Sequence, residues 1–423
     1  MQKLTKHFSA IAGRVLLIGF TMQIVLGLVW TGINIGCMEE PGVLLQLVLL
    51  SVAFGAGLFL VKTITETKKI VWMVWGSLAM LTVPMSLQCH LMNPKESIIG
   101  SFLVFQLSFL WRAIRNGNTE SCCSLATVAI FWLLEAVVAP EYVPVGAVPV
   151  ILLFLYGLRK KKIGYHILLI CAFGGMIFGI NNLKQEKKQD TGMIYEISAD
   201  LFGRCTWTTI FRDSVYWTDE MYATAGEEIL ISTSLYADNM NELFKPAVLQ
   251  NLGEEGATGF YQELTISAVK EFPVQIMKEC LWDAFAYSVP PLGTYLFLDG
   301  EGYDSYCPVN FDLMRRQAPR LTGYYMDYSC KWFAAALVLA TGNMVLGRMF
   351  CANKNADRTE IKHAKCRKNT FAAVAVIITC VAIVLHHTLQ GAGIMDYRKT
   401  VTICSVWVVW MISTMIKQPE ENG

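Results

Sequence analysis

Two short stretches hold the residue types from which chemistry is built. GCMEEPG, residues 36–42, contains Glu39 and Glu40, the only acids among the first 64 residues. GAGIMDYRKT, residues 391–400, contains Asp396, Tyr397, Arg398 and Lys399. A carboxylate near water is ionised at neutral pH and can take a proton from a hydroxyl as a general base. A guanidinium beside an ammonium can bind a phosphate or pyrophosphate, the guanidinium through two parallel N–H bonds. The same residues admit plainer roles: polar punctuation between apolar runs for the glutamates, interfacial anchoring for the cations. A third stretch, PMSLQCHLMNPKE, residues 84–96, ends an apolar run on His90. Glu135 lies inside another run, close enough to its end to reach water, although acids within such runs are by default functional.

The elements that must position these residues are membrane helices. Apolar residues make up 54% of the 423 and charged ones only 16%, against about 45–50% and 25% in soluble domains. Apolar runs of roughly 20 residues recur, each suited to a hydrocarbon core about 30 Å thick. They predict an all-α polytopic membrane protein with about ten spans, at 13–36, 43–61, 70–89, 97–111, 122–138, 143–158, 163–180, 332–351, 370–386 and 400–416. The first span is read as uncleaved, being too long for a signal sequence and lacking a small-residue cleavage site.

Charge is divided along the chain. Residues 190–327 hold 21 acids and 8 bases, a net of −13, while the rest of the chain carries +14. Lys and Arg collect in alternate loops, including Lys62, Lys68 and Lys69, Arg112 and Arg115, and the block 159–162. By the positive-inside rule both termini are cytoplasmic and the acidic segment is extracytoplasmic. Lys184, Lys187 and Lys188 oppose this orientation, and the four-residue block before span seven outweighs them. The expected organisation is a membrane domain over 1–181, an acidic, aromatic-rich outer domain over 182–330 and a second membrane domain over 331–423.

The outer segment reads as mainly helical. Helices are expected from Asp219, over 238–252 and over 263–286, with a kink or break at Pro273. Residues after 288 read as a long loop with a short helix over the membrane surface. Rings crowd this segment, Trp207 and Trp217 among them, and rings interleaved with carboxylates suit sugars; they suit cores and membrane interfaces as well. Asp299, Glu301 and Asp304 read as a glycine-rich turn more readily than as a calcium loop. Arg315, Arg316 and Arg320 can hold an anion or pair with local acids. Cys205, Cys280, Cys307 and Cys330 permit disulfides, with no pairing favoured. No Gly-rich phosphate loop, inverted repeat or His/Cys metal spacing is present, which counts against an ATP-driven pump and weakens a transporter reading.

Many short spans, acids in the first outer loop, the run LTVPMSLQCH and the late GAGIMDYRKTV together resemble the GT-C membrane glycosyltransferases. Residues 199–328 resemble outer domains of Gram-positive Rgt- and PMT-like members. The resemblance implies a polyprenyl-phosphate sugar as donor and a cell-envelope glycan, lipid or protein as acceptor. It places Glu39 or Glu40 as the catalytic carboxylate and Arg398, with Lys399, at the lipid phosphate. His90, Trp207, Trp217, Asp396 and Tyr397 become candidate acceptor or sugar contacts, and a divalent metal ion a candidate cofactor. The partners expected are the bilayer, the lipid-linked sugar and the acceptor, with no nucleic acid. Two departures stand out: the first loop is only about six residues long, and Tyr397-Arg398 reverses the family's Arg-Tyr order. They leave open a member of the fold that has lost catalysis and serves envelope assembly or glycan binding.

Overall fold

The computed structural model describes residues 2–35, 40–116, 121–139, 142–159, 174, 193–211, 213–235, 239–291, 319–354, 360–390 and 400–416. Among them the regular structure is helical throughout, as backbone in hydrocarbon must satisfy its own polar groups. The chain opens with α1 (Gln2–Ile35), α2 (Glu40–Thr65), α3 (Ile70–Leu81), α4 (Pro84–Met92), α5 (Pro94–Asn116), α6 (Ser121–Val138) and α7 (Val143–Arg159). It continues with α8 (Met193–Thr206), α9 (Asp219–Ala225), α10 (Glu227–Leu235), α11 (Lys245–Glu271) and α12 (Pro273–Ser288). It closes with α13 (Pro319–Lys354), α14 (Glu360–Gln390) and α15 (Val401–Ile416).

Four stretches are long and apolar enough to cross a membrane: His7–Ile33, Val43–Thr65, Pro94–Arg115 and Thr370–Leu389. The apolar helices Ala126–Val138, Val143–Gly157 and Val401–Ile416 are shorter. Several helices can thus span a bilayer, which is what a multi-pass membrane protein requires. The expected span 70–89 is not one straight helix. It is α3 and α4, bent by 79° at Thr82 and Val83, where Pro84 takes the first position of the new helix and has no N–H to lose. Span 332–351 falls inside α13, and 163–180 lies outside the described residues apart from Gly174. Residues 319–328, expected as surface loop and short helix, are the first turns of α13, which runs unbroken past the domain boundary placed at 330.

The helices pack into a bundle with two distinguishable ends. At one, Arg115 pairs with Glu66 and Tyr156 donates to the Ile114 carbonyl (3.0 Å). At the other, which we call the His90 end, Gln46 donates to Leu91 (2.6 Å) and Trp30 to Thr322 (3.1 Å). Phe20, Leu107, Trp132, Phe333 and Val408 are among the side chains that fill the core between them.

Helices α8–α11 enclose a separate core of rings. Phe202 stacks on Tyr261 with centroids 4.7 Å apart and also meets Phe211 and Phe244. The α9 N-terminus is capped by Thr218, which accepts from the Met221 N–H (3.2 Å), with Asp219 and Glu220 in the first turn complementing the helix dipole. The helix expected over 263–286 ends at Phe272 and restarts at Pro273. Within α11, Gly253 adopts φ 68°, a kink that a residue with a Cβ resists. The α12 helix joins this domain to the bundle. Asp283 pairs with Arg204 on α8, whose Nε also donates to Cys280 Sγ (3.4 Å). At its far end Ala286 and Tyr287 belong to the bundle core. Cys205, Cys280 and Cys330 are free thiols; Cys330 packs in the bundle, and Cys307 lies outside the described residues.

Candidate functional site

The break between α3 and α4 shapes the His90 end. A helix that stops within a bundle frees carbonyls that need donors, since an unsatisfied polar group in hydrocarbon is costly. The donors come from three other helices. Tyr325 on α13 donates its hydroxyl to the Thr82 carbonyl, and Gln23 on α1 donates to Ala79 (3.2 Å). Gln46 on α2 serves Leu91 at the end of α4. Gly27 on α1 makes the first contact sterically feasible. A Cβ there would stand 2.7 Å from Thr82 Cβ and 2.9 Å from the Tyr325 hydroxyl.

His90 sits in the last turn of α4 and is buried, its Nδ1 2.8 Å from Ser97 Oγ on α5. A small cavity beside it, about 10 Å³ and lined by Ser101, Val401 and Ser405 among others, has room for about one water. The start of α15 closes that side, with Thr402 donating to the Gly100 carbonyl (3.4 Å). His90 lines this cavity together with the two serines.

Of the other expected site residues, Glu40 is the first residue of α2. Its side chain, and all of Glu39, Asp396, Tyr397, Arg398 and Lys399, lie outside the described residues. Glu40 stands six positions before Gln46, and Lys399 directly precedes Thr400 at the head of α15. The described N-terminal turns of α2 and α15 that follow them belong to the His90 end.

A second polar cluster lies at the same end. Tyr142 contacts His386 and His387, and Tyr287 of α12 contacts His387, with ring centroids 5.7 Å apart in each case. Glu135, one turn before the end of α6, is fully buried and does not reach water. Its carboxyl fills the notch left by Gly146 on α7, where a Cβ would collide with it, and Gln106 is the amide within reach.

The aromatic pair divides. Trp207 is buried and its Nε1 donates to the Thr233 carbonyl (3.1 Å). Both its faces are covered, so it serves the domain core in place of the sugar contact expected from the sequence. Trp217 is half-buried, packed edge-on to Tyr222. Burial pushes the Asp283 carboxyl up, and the Arg204 guanidinium beside it pulls it part of the way back. Among the described residues no three His, Cys, Asp or Glu side chains gather as metal ligands. Comparison with protein families, curated proteins and solved structures finds no match.

The sequence reading missed Tyr325, Gln23 and Gln46. The two glutamines did leave a signal, each being a lone amide inside a long apolar run, where a polar group persists only with a partner.

Proposed function

We propose that the protein is a membrane glycosyltransferase of the GT-C kind, moving a sugar from a polyprenyl-phosphate donor to a cell-envelope acceptor at the His90 end. One observation supports this reading. The N-terminal part of α2, the first turn of α15 and the α4–α5 junction converge there, tied by the Gln46–Leu91, Thr402–Gly100 and His90–Ser97 contacts. The acids at 39–40 and the cations at 398–399 lead into two of those segments. In this reading the His90 end and residues 182–330 are extracytoplasmic. Glu39 or Glu40 takes the proton of the acceptor hydroxyl as its oxygen attacks the anomeric carbon. The bond from that carbon to the phosphate oxygen breaks, with inversion. Arg398 and Lys399 stabilise the charge left on the lipid phosphate, while Asp396 and Tyr397 orient the sugar.

The test is transfer from polyprenyl-phosphate sugars by the full-length protein in membranes. Glu39→Gln with Glu40→Gln should slow transfer on the order of 100- to 10,000-fold, the usual contribution of a general base. An unaltered rate in the double variant removes the carboxylates from the mechanism. Arg398→Ala should weaken donor binding and leave acceptor affinity unchanged. A second reading, a glycan-binding or envelope-assembly protein without catalysis, is favoured by the one-water space beside His90. It requires that donor lipid bind without turnover and that all three changes leave function intact.

A further inference from the structure

Helix α12 is inside out for a helix surrounded by water. Its inward side carries Asp283, bonded to Arg204, and Glu279, which accepts from Thr208. Its outward side carries Val274, Met277, Leu281, Trp282 and Phe285, each 42–70% exposed. Val274, Met277, Leu281 and Phe285 recur every three or four residues and form one stripe, with Trp282 at its side. Lys278 lies among them, on a stem long enough to carry its ammonium away from an apolar layer. Its neighbour α8 shows the same habit, with Ile194, Ile197 and Leu201 exposed. Both helices pack against α14, which holds the membrane-length stretch Thr370–Leu389 and exposes Leu385 and Leu389. The last turn of α12 is fixed in the bundle: Trp407 donates to the Ser288 carbonyl (2.6 Å), and Tyr287 is core. The apolar stripe therefore belongs to a helix anchored beside a membrane span, with the carboxylates of Glu279 and Asp283 turned inward. A tryptophan and a lysine on an otherwise apolar face are the residues that suit a headgroup–acyl boundary.

We infer that α12 is a lipid-contacting helix whose 274–285 stripe lies in the acyl-chain edge of the bilayer that holds α14. The inference rests on α14 being a membrane helix and is independent of the transferase chemistry. The test uses the full-length protein in phosphatidylcholine–phosphatidylglycerol liposomes containing a phospholipid with a diazirine on its acyl chain. After photolysis, mass spectrometry should find lipid adducts on Met277, Leu281 and Phe285 as well as on Leu385 and Leu389, and none on Asp283. Met277→Asp with Leu281→Asp should lose the α12 adducts and keep those on α14. Adducts on α14 with none on wild-type α12 overturn the inference. So do cross-links from a photoreactive residue at 281 to residues 160–192 or 292–318, or to α12 of a second copy, because protein then covers the stripe. Absence of adducts on both helices overturns the membrane reading of α14 itself.

Discussion

Replacing Arg204 with Met strips the guanidinium that faces Asp283 and leaves a carboxyl whose side chain is only 9% exposed. Breaking a buried ion pair by removing one partner costs about 3–5 kcal/mol. Protonation sets a ceiling on that cost. An Asp carboxyl with an ordinary pKa near 3.9 can be neutralised at pH 7 for about 4 kcal/mol, at 1.36 kcal/mol per pH unit. At pH 5 the same neutralisation costs about 1.5 kcal/mol. The folded variant then holds a proton that the unfolded chain has released, so its carboxyl pKa is raised. The stability of Arg204→Met is greatest at low pH and is lost as pH rises towards the folded pKa. The measurement is hydrogen exchange on peptides of α8 and α12 in the detergent-solubilised protein at pH 5 and pH 7, corrected for intrinsic rates. The expected loss of protection is about 4 kcal/mol at pH 7, falling by about 2–3 kcal/mol at pH 5. Adding Asp283→Asn should abolish the pH dependence and recover most of the stability. A loss that is equal at the two pH values, or below about 1 kcal/mol at pH 7, would refute the assignment of a buried, mutually dependent pair.

Four further changes probe the rest of the molecule. Tyr325→Phe leaves the Thr82 carbonyl without its donor and should destabilise the bundle by about 1–3 kcal/mol, read by thermal unfolding in detergent; an unchanged midpoint would mean that another donor serves the break. Gly146→Ala forces a methyl against the Glu135 carboxyl and should cost about 1–3 kcal/mol, with Glu135→Ala restoring stability in the double variant and no rescue counting against the notch. Trp207→Ala should cost about 3–5 kcal/mol through a cavity in the ring core and expose the domain to protease. If it weakened glycan binding with the domain fully protected, Trp207 would be a contact residue after all. Glu39→Gln with Glu40→Gln should slow sugar transfer in membranes, as set out above, with acceptor affinity retained.

Helix positions were legible because an apolar run near 20 residues long permits few alternatives, and α1, α2, α5 and α14 fall where their runs do. The bend at Thr82 was less legible, although Pro84 marks it. Hydropathy stays high across 70–89, so the run looks continuous even where the backbone turns by 79°. Tyr324 and Tyr325 misled for a related reason. In a segment rich in Gly, Pro and Asp they read as loop, whereas residues from 319 on have enough apolar partners on α1 to extend α13: Tyr325 packs on Trp30 at 5.7 Å. The candidate site was legible only in part. The types of Glu39, Glu40, Arg398 and Lys399 suggest a chemistry, and the helix turns that follow them, at the starts of α2 and α15, are at one end of the bundle. What no spacing rule supplies is the volume available there, and beside His90 that volume suits a water.

The α12 stripe marks the limit of periodicity most clearly. Leu264, Ile266, Val269, Val274, Ile276, Met277 and Leu281 recur at helical spacing, and in a water-soluble domain such a set faces the core. Here Ile266 and Val269 on α11 face outward, as do Val274, Met277 and Leu281 on α12, joined there by Trp282 and Phe285. Periodicity reports that a helix has two unlike sides and is silent about which side meets the protein. That choice is made by the polar residues on the opposite side. Asp283 needs a cation and Glu279 a donor, and both find them inward, on Arg204 and Thr208. Turning α12 over to bury its apolar stripe would separate Asp283 from Arg204 and leave the guanidinium buried without its counter-charge, at about 3–5 kcal/mol. Contact between the stripe and hydrocarbon removes the opposing penalty of leaving five large side chains in water. Both requirements are met where the outside of the helix is lipid, so the ion pair inside the domain and the proposed lipid edge outside it favour the same orientation of α12.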